Sequence, residues 1–278
     1  MREIGPHTQL CAVILHPAGH TRSPAMHNAA FDALGLDAVY AAFDVPPARL
    51  ADALVGARAL GIRQLAVSLP HKEAVIEHLD EVDATARRIG AVNTVTRRGA
   101  LLVGSNTDWI GAVRALERET PLGGRDVVVL GAGGAARAVV FGALERGARV
   151  AVLNRSAERA DRLAKELGAA SAGRLADLAE MPCDVLVNAT SVGLRSDVSP
   201  LSANQIPPGA VVLDLVYDPV DTRLLRDAAA RGARPISGKW MLVHQAAEQL
   251  ALWSGREAPV DAMAEAFDRA GQAPAQPA

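Results

Sequence analysis

The chain has 278 residues, half of them hydrophobic, with 29 Lys and Arg against 31 Asp and Glu for a formal net charge of −2. That length suggests two domains, and the scattered, nearly balanced charge offers neither a basic face for nucleic acid nor a polybasic patch for a membrane surface. No apolar run approaches the roughly 20 residues that span a bilayer, so the expected partner is a small molecule.

Aromatic residues make up only 3% of the chain, so the core must be built from Ala, Val and Leu. The start, MREIGPHTQLCAVIL, breaks at His16-Pro17 after a short apolar run, and no signal peptide is expected. Cys11 and Cys183 each sit in an apolar run (CAVIL and CDVLV), as core residues of a cytoplasmic protein would. The seven histidines do not fall into a ligand spacing with Cys or carboxylates, and no metal is expected.

In chain order, apolar runs alternate with amphipathic stretches, the pattern of an α/β fold. The spacing predicts a strand at Leu10–Leu15 and a helix at Ser23–Leu34, opened by Ser-Pro with proline in the first turn. A strand at Val39–Phe43, a helix at Ala48–Leu60 and a strand at Gln64–Ser68 follow. Lys72–His78 and Ala84–Ile89 read as helical, and Val92–Thr96 and Leu101–Val103 as short strands around the Arg98-Gly99 turn. A loop at Glu119–Arg125 then separates the halves.

Beyond it the pattern restarts with a strand at Asp126–Leu130, a glycine turn and a helix through Glu145. Next come a strand at Arg149–Asn154, a helix at Ala157–Leu167, and strands at Asp184–Asn188 and Val211–Leu215. A helix at Thr222–Ala230, a last strand around Pro235-Ile236, and helices at Met241–Trp253 and Val260–Ala270 close the chain. The tail Gln272–Ala278 is of low complexity and is expected to be disordered. The expected organisation is a substrate-binding domain over 1–106, a Rossmann domain over 107–240, and C-terminal helices over 241–278 that pack back on the first domain.

The clearest motif is DVVVL-GAGGAAR, where Gly131, Gly133 and Ala136 fit G-x-G-x-x-A between a predicted strand and a predicted helix. The first glycine makes the tight turn, the second lets the backbone approach a pyrophosphate, and the small third residue packs helix on strand. The helix N-terminus then offers free N–H groups to the phosphates. An NAD site would place a carboxylate at the end of the next strand. Here that position carries Asn154-Arg155-Ser156, with Arg159 one turn on, a set suited to a 2′-phosphate and therefore to NADP.

Four polar clusters fall where strands should end: Thr21-Arg22-Ser23-Pro24, Ser68-Leu69-Pro70-His71-Lys72, Gly90-Ala91-Val92-Asn93-Thr94 and Asn106-Thr107-Asp108. Open α/β sheets bind ligands at that edge. Their hydroxyls, amide, ammonium and carboxylate suit a polyhydroxylated acid. Each also has a plainer reading: Ser23 and Asp108 could be helix caps, and Lys72 a surface charge at a helix start, although a cation there opposes the helix dipole.

The blocks HTRSP, SLPHKE, GAVNT, SNTD, GAGGAAR, NRS, NATSVGL, DLVYDP and MLVHQAA occur in that order, and by them the chain resembles the shikimate dehydrogenase family up to about residue 270. The resemblance implies an α/β fold with an N-terminal substrate domain and a Rossmann-type doubly wound NADP-binding domain. It implies reversible reduction of 3-dehydroshikimate to shikimate, in aromatic amino acid (chorismate) biosynthesis, with a homodimer among the expected assemblies. Thr21 and Ser23 would hold the substrate carboxylate, and Ser68, Asn93 and Gln245 the ring hydroxyls or carboxylate, with Tyr217 joining that pocket. Lys72 and Asp108 match the catalytic pair. Gly131, Gly133, Gly134 and Ala135 match the phosphate loop, and Asn154, Arg155, Ser156 and Arg159 the 2′-phosphate site. Thr190, Leu215, Gly238 and Met241 match positions near the nicotinamide and its ribose.

Ala66 stands where the family generally has Asn, His71 replaces a more usual apolar residue, and Trp109 and Trp240 stand where glycine is common. An indole beside Met241 would either crowd the nicotinamide pocket or close over it. These departures keep a quinate- or aminoshikimate-type relative as an alternative. A non-catalytic dinucleotide-binding module and a folate-linked dehydrogenase are the other readings. Retention of both Lys72 and Asp108 argues against the first, and the hydroxyl-rich Thr21, Ser23 and Ser68 against the second.

Hydride transfer to a ketone builds negative charge on the carbonyl oxygen, and a positioned proton donor speeds it by about 10² to 10⁴. Lys72 is the expected acid, and the base in the reverse direction. Asp108 would orient the ammonium and hydrogen-bond a neighbouring hydroxyl.

Overall fold

The short apolar runs CAVIL, VVVL, VAVL, VLV and VVL all become strands, distributed over two six-stranded sheets. A computed structural model describes residues 4–19 and 21–272; the tail expected to be disordered lies outside the described residues from 273 on. The chain divides into two units, one made of residues up to Thr107 together with those from Gln245 onward, the other of Asp108–His244.

In the first unit the order is β1 (Gln9–Leu15), α1 (Ser23–Leu34), β2 (Ala38–Asp44), α2 (Leu50–Ala59), β3 (Gln64–Val67), β4 (Glu81–Val82), α3 (Ala84–Ile89), β5 (Thr94–Arg98) and β6 (Leu101–Ser105). The sheet runs β2-β1-β3-β5-β6-β4. Strand β1 is parallel to both neighbours, while β5 is antiparallel to β3 and β6. On one face Ala12, Ile14, Leu65 and Val67 pack with Leu50 and Leu54 of α2.

In the second unit α4 (Asp108–Glu117) leads into β7 (Asp126–Leu130), α5 (Gly134–Glu145), β8 (Arg149–Leu153), α6 (Ala157–Leu167) and β9 (Ser171–Gly173). Strands β10 (Val185–Asn188) and β11 (Val211–Asp214), helix α7 (Arg223–Ala230) and β12 (Arg234–Ser237) complete it. All six strands are parallel, in the order β12-β11-β10-β7-β8-β9. Chain order reverses beside β7, which opens a crevice at the carboxyl ends of β7 and β10. Val127 and Val129 of β7 fill the core on one face, and Val128 and Leu130 fill it on the other. A strand buried on both faces reads as an unbroken apolar run for this reason.

Helix α8 (Lys239–Ser254) begins in the second unit and continues into the first, and α9 (Val260–Gln272) packs along α1. Phe31 of α1 is fully buried, with the Trp253 ring edge-on at 5.7 Å and the Tyr40 ring at 6.5 Å.

The differences from the predicted elements have local causes. The helix expected from Ala48 begins as a 3-10 turn at Pro47–Arg49, because Pro46 and Pro47 carry no N–H to donate. Lys72 and Glu73 form a turn rather than a helical start, and only Ala74–His78 is helical, as a 3-10 segment. The strand expected from Val92 starts at Thr94: Val92 N–H bonds the Lys72 carbonyl outside the sheet, although Asn93 N–H still reaches Ser105 O of β6. Strands β4 and β9 carry no alternating apolar pattern and were invisible to it.

Truncating Phe31 leaves a cavity among rings that cannot close in. Phe31→Ala is expected to destabilise the first unit by about 3–5 kcal/mol, read as a fall in its urea unfolding midpoint; an unchanged midpoint would show that the ring is not packed as described.

Candidate active site

Strand β3 ends at Val67, and the next turn carries Ser68 and Lys72 beside the end of β1. It is tied down at several points: Ser68 N–H donates to Ile14 O at 2.9 Å, His71 N–H to Ser68 O at 2.9 Å, and the buried His71 ring donates from Nε2 to Val45 O at 2.7 Å. The Lys72 carbonyl, in turn, accepts from Val92 N–H at 2.8 Å. Lys72 is therefore held by its backbone and placed half-buried.

The residue after Val92 holds the second segment. Asn93 accepts at Oδ1 from Thr107 N–H at 2.7 Å and donates from Nδ2 to Thr107 Oγ1 at 2.9 Å. Its Nδ2 also donates to Gln245 Oε1 at 3.2 Å, while Gln249 donates to Asn93 O at 3.2 Å. Asn106 Nδ2 donates to Ala91 O at 2.8 Å. Asp108, the next residue along the chain from Thr107, is buried and opens α4. Two consecutive residues thus carry the chain positions of both predicted catalytic groups.

Thr21 and Ser23 stand at the start of α1. Arg22, not Ser23, occupies the N-cap position, without a side-chain cap bond. Thr21 Oγ1 accepts from Ser23 N–H at 3.3 Å, and the Ser23 and Ser68 hydroxyls make no hydrogen bond among the described residues. The capping reading of Ser23 is therefore set aside, and its hydroxyl is available to a ligand. The Arg22 guanidinium lies 4.4 Å from the centre of the Phe267 ring, which fixes the turn against α9. The structure places Thr21, Ser23, Ser68, Asn93 and Gln245 in the first unit and Tyr217, on the loop after β11, in the second.

In the second unit the nucleotide-motif residues line the carboxyl ends of the parallel strands. Gly131 (φ +117°) bonds through its N–H to Leu153 O at 2.8 Å, and a Cβ there would lie 3.0 Å from Ala189 O and 3.3 Å from Thr190 Cγ2. Only glycine serves at that position. A Cβ on Gly133 would meet nothing within 4 Å, so the N-terminal end of α5, Gly134 and Ala135 included, faces an open cradle with no side-chain cap. Arg137, the arginine of the motif, is engaged with Glu166 at 2.6 Å. A pyrophosphate would therefore meet backbone N–H groups, and the cradle fits one.

At the end of β8, Asn154 donates from Nδ2 to Ser156 O at 3.1 Å. Ser156 caps α6 by accepting from Arg159 N–H at 3.4 Å and gives its hydroxyl proton to Glu158 at 2.7 Å. Arg155 and Arg159 are exposed, and among the described residues no carboxylate pairs with either guanidinium. Two cations at this position fit a 2′-phosphate, whereas the Ser156 hydroxyl is already bound to Glu158.

Thr190, Leu215, Gly238 and Met241 complete that edge. A Cβ on Gly238 would come within 2.6 Å of the Asp214 and Leu215 carbonyl oxygens, so this glycine lets the chain pass close over β11. Trp240 does not act as a free lid. The Arg118 guanidinium sits 3.8 Å from its ring centre, the His244 ring stacks at 6.0 Å, and the indole packs on the unit's core. Trp109 is likewise committed, edge-on to Phe141 at 5.5 Å. Among the described residues, no group of three His, Cys, Asp or Glu could hold a metal ion, and no helix is long and apolar enough to cross a membrane.

Three family models match along the chain: shikimate dehydrogenase substrate binding domain over residues 13–95, shikimate / quinate 5-dehydrogenase over 114–195, and shikimate 5′-dehydrogenase C-terminal domain over 238–266. The NADP(+) shikimate dehydrogenase of Thermococcus kodakarensis is 48% identical over 254 residues, covering 89% of this chain and 92% of that one. The shikimate 5-dehydrogenase of Thermus thermophilus, solved with NADP(H) and shikimate, is 43% identical with a TM-score of 0.88, covering 94% of this chain and 99% of that one. A quinate dehydrogenase from Corynebacterium glutamicum, solved with NAD, is 32% identical with a TM-score of 0.85, over 94% and 99% of the two chains.

Motif reading passed over Asn188 and Asp214, which sit inside the blocks NATSVGL and DLVYDP. Asp214 is fully buried at the end of β11, accepting at Oδ1 from Asn188 Nδ2 at 2.9 Å and Val216 N–H at 3.0 Å, and at Oδ2 from the Thr222 hydroxyl at 2.7 Å. Asn188 Oδ1 accepts in turn from Thr190 N–H at 3.1 Å and Oγ1 at 2.7 Å. One carboxylate thereby braces the Thr190 loop, the Leu215–Tyr217 loop and the start of α7. Burial outweighs its three donors and pushes the Asp214 carboxyl up to about 6. With the folded value above the unfolded one, its stabilising contribution is complete below the unfolded value, about pH 4, and is lost as pH rises through about 6 to about 7. Wild type should therefore lose roughly 3 kcal/mol relative to Asp214→Asn across that window, seen by comparing the two melting temperatures against pH. Parallel curves would contradict this.

Proposed function

Because the chain belongs to the shikimate dehydrogenase family, we propose that it is an NADP-dependent shikimate dehydrogenase, reducing 3-dehydroshikimate reversibly to shikimate within aromatic amino acid biosynthesis. The observation that carries this reading is the pairing of anchors at Val92 and Asn93, which fasten the Lys72 turn and the residue before Asp108 to adjacent points of one strand lead-in. A sensor without turnover has no use for such fastening.

NADPH, when bound, supplies the hydride. The residues of this chain do the rest. Thr21 and Ser23 hold the substrate carboxylate with hydroxyls, Ser68, Asn93 and Gln245 bind at the ring, and Tyr217 is a further substrate contact. Lys72 donates a proton to the ketone oxygen as negative charge develops there, and accepts it in the reverse direction. Asp108 orients the ammonium and takes a hydrogen bond from a neighbouring hydroxyl. The open turn at Gly131–Ala135 receives the pyrophosphate, and Arg155 and Arg159 hold the 2′-phosphate. Thr190, Leu215, Gly238 and Met241 bound the nicotinamide end.

Two of the four substitutions that left quinate or aminoshikimate as alternatives, Trp109 and Trp240, are taken up by packing within the second unit, which favours shikimate. We place the enzyme in the cytoplasm and take a homodimer as its working assembly. A panel of shikimate, quinate and aminoshikimate with NADP and NAD, followed by reduced-cofactor absorbance, tests the substrate assignment; a preference for quinate would overturn it.

Two substitutions test the roles. Lys72→Ala should lower kcat by about 10²- to 10⁴-fold while KM for shikimate stays within about tenfold; turnover that survives intact excludes Lys72 as the acid. Removing one charge-assisted contact in Arg155→Ala should raise KM for NADP by about 10- to 100-fold and leave that for NAD nearly unchanged. Equal effects on the two cofactors would reject the 2′-phosphate assignment.

A further inference from the structure

Strands β1 and β3 run parallel, and the substrate residues follow their carboxyl ends. At their amino ends, wholly within the first unit, lies a cleft of about 590 Å³. Arg63 and Arg97 line it, with Leu10, Leu36, Leu60 and Trp253 as its apolar wall. No carboxylate is among the lining residues, and among the described residues neither arginine has an ion-pair partner.

The two arginines are adjacent and half-buried. Arg97 N–H donates to Arg63 O at 3.1 Å, and Arg63 Nη1 donates to Arg97 O at 3.0 Å. Their remaining side-chain bonds go to backbone carbonyls, Arg63 Nη2 to Trp253 O at 3.2 Å and Arg97 Nη1 to Gly99 O at 3.3 Å. Arg97 Nε is buried with no acceptor. A guanidinium has more N–H groups than these carbonyls use, and neutral carbonyls cancel no charge. Two like charges sharing a partly desolvated recess are unfavourable without an anion. The apolar wall adds a second requirement, since a fully hydrated inorganic anion gains nothing from Leu36, Leu60 and an indole.

We propose that this cleft binds a small organic carboxylate, its carboxylate held by Arg63 and Arg97 and its apolar body lying against Leu36, Leu60 and Trp253. The site stands at the end of the sheet opposite the substrate residues and is independent of the reading given above.

Benzoate is the probe. It would be titrated calorimetrically into the full-length protein with shikimate in excess, so that the substrate's own carboxylate site is filled, with inorganic phosphate as the comparison. Saturable benzoate binding is expected, tighter than phosphate, and weakened about tenfold or more in Arg97→Gln. Because Arg97 also bonds the Gly99 carbonyl, a second variant is needed. Leu60 is exposed at the rim, and Leu60→Asp adds a repelling charge without disturbing the interior; it should weaken benzoate similarly while shikimate turnover is retained. Absence of saturable binding, or binding unchanged in both variants, overturns the proposal. Phosphate binding as tight as benzoate would overturn its apolar half.

Discussion

The placement of the Lys72 turn and of the residue before Asp108 depends on where the Val92 amide and the Asn93 side chain point. Asn93 keeps its backbone in the sheet, donating from N–H to Ser105 O at 3.1 Å and accepting at its carbonyl from Val67 N–H at 2.8 Å, while Val92 N–H is given to the Lys72 carbonyl and the Asn93 side chain to Thr107. A buried amide side chain leaves no slack, because each unmet donor or acceptor would cost about 1–3 kcal/mol. Asn93 is satisfied by Thr107, Thr94 and Gln245 together, so moving any one of these segments breaks bonds at the others. The residue before the carboxylate and helix α8 are thereby registered against one side chain, and the ammonium-bearing turn against the backbone N–H of Val92.

The nucleotide edge follows a different logic, one of withheld bonds. The motif arginine Arg137 is occupied by Glu166, and the Ser156 hydroxyl by Glu158. The end of α5 is left uncapped over open space, and among the described residues no carboxylate pairs with Arg155 or Arg159. Under the proposed reading, phosphate recognition falls to backbone N–H groups and the two guanidinia, which suits a ligand that must be released each turnover. Behind that edge Asp214 ties three loops to one buried carboxyl, so the surface that meets the cofactor rests on a rigid support.

Most of this was legible in the sequence where a residue's role is local. The strand-turn-helix at Gly131 was readable because glycine spacing and an apolar run are local signals, and the arginines after β8 because their position relative to that turn is fixed by the βαβ unit. What escaped was non-local. Nothing in GAVNT says that Val92 bonds Lys72 rather than a neighbouring strand. Nothing in DLVYDP says that its first aspartate is buried and bonded to an asparagine 26 residues earlier. Trp240 misled for the same reason: beside Met241 in sequence it suggested a lid, but Arg118, far away in sequence, holds the ring. Short strands such as β9 escaped because their ladder bonds, not their side chains, place them.

Lys72 and Asp108 should act as one unit, and a double-mutant cycle measures that directly. Residues that work together lose most of their effect on the first removal, so losses in kcat should be far from multiplicative. Lys72→Ala combined with Asp108→Ala is predicted to turn over within about tenfold of the slower single variant. Losses that simply multiply would show two independent groups, and would contradict the proposed pairing.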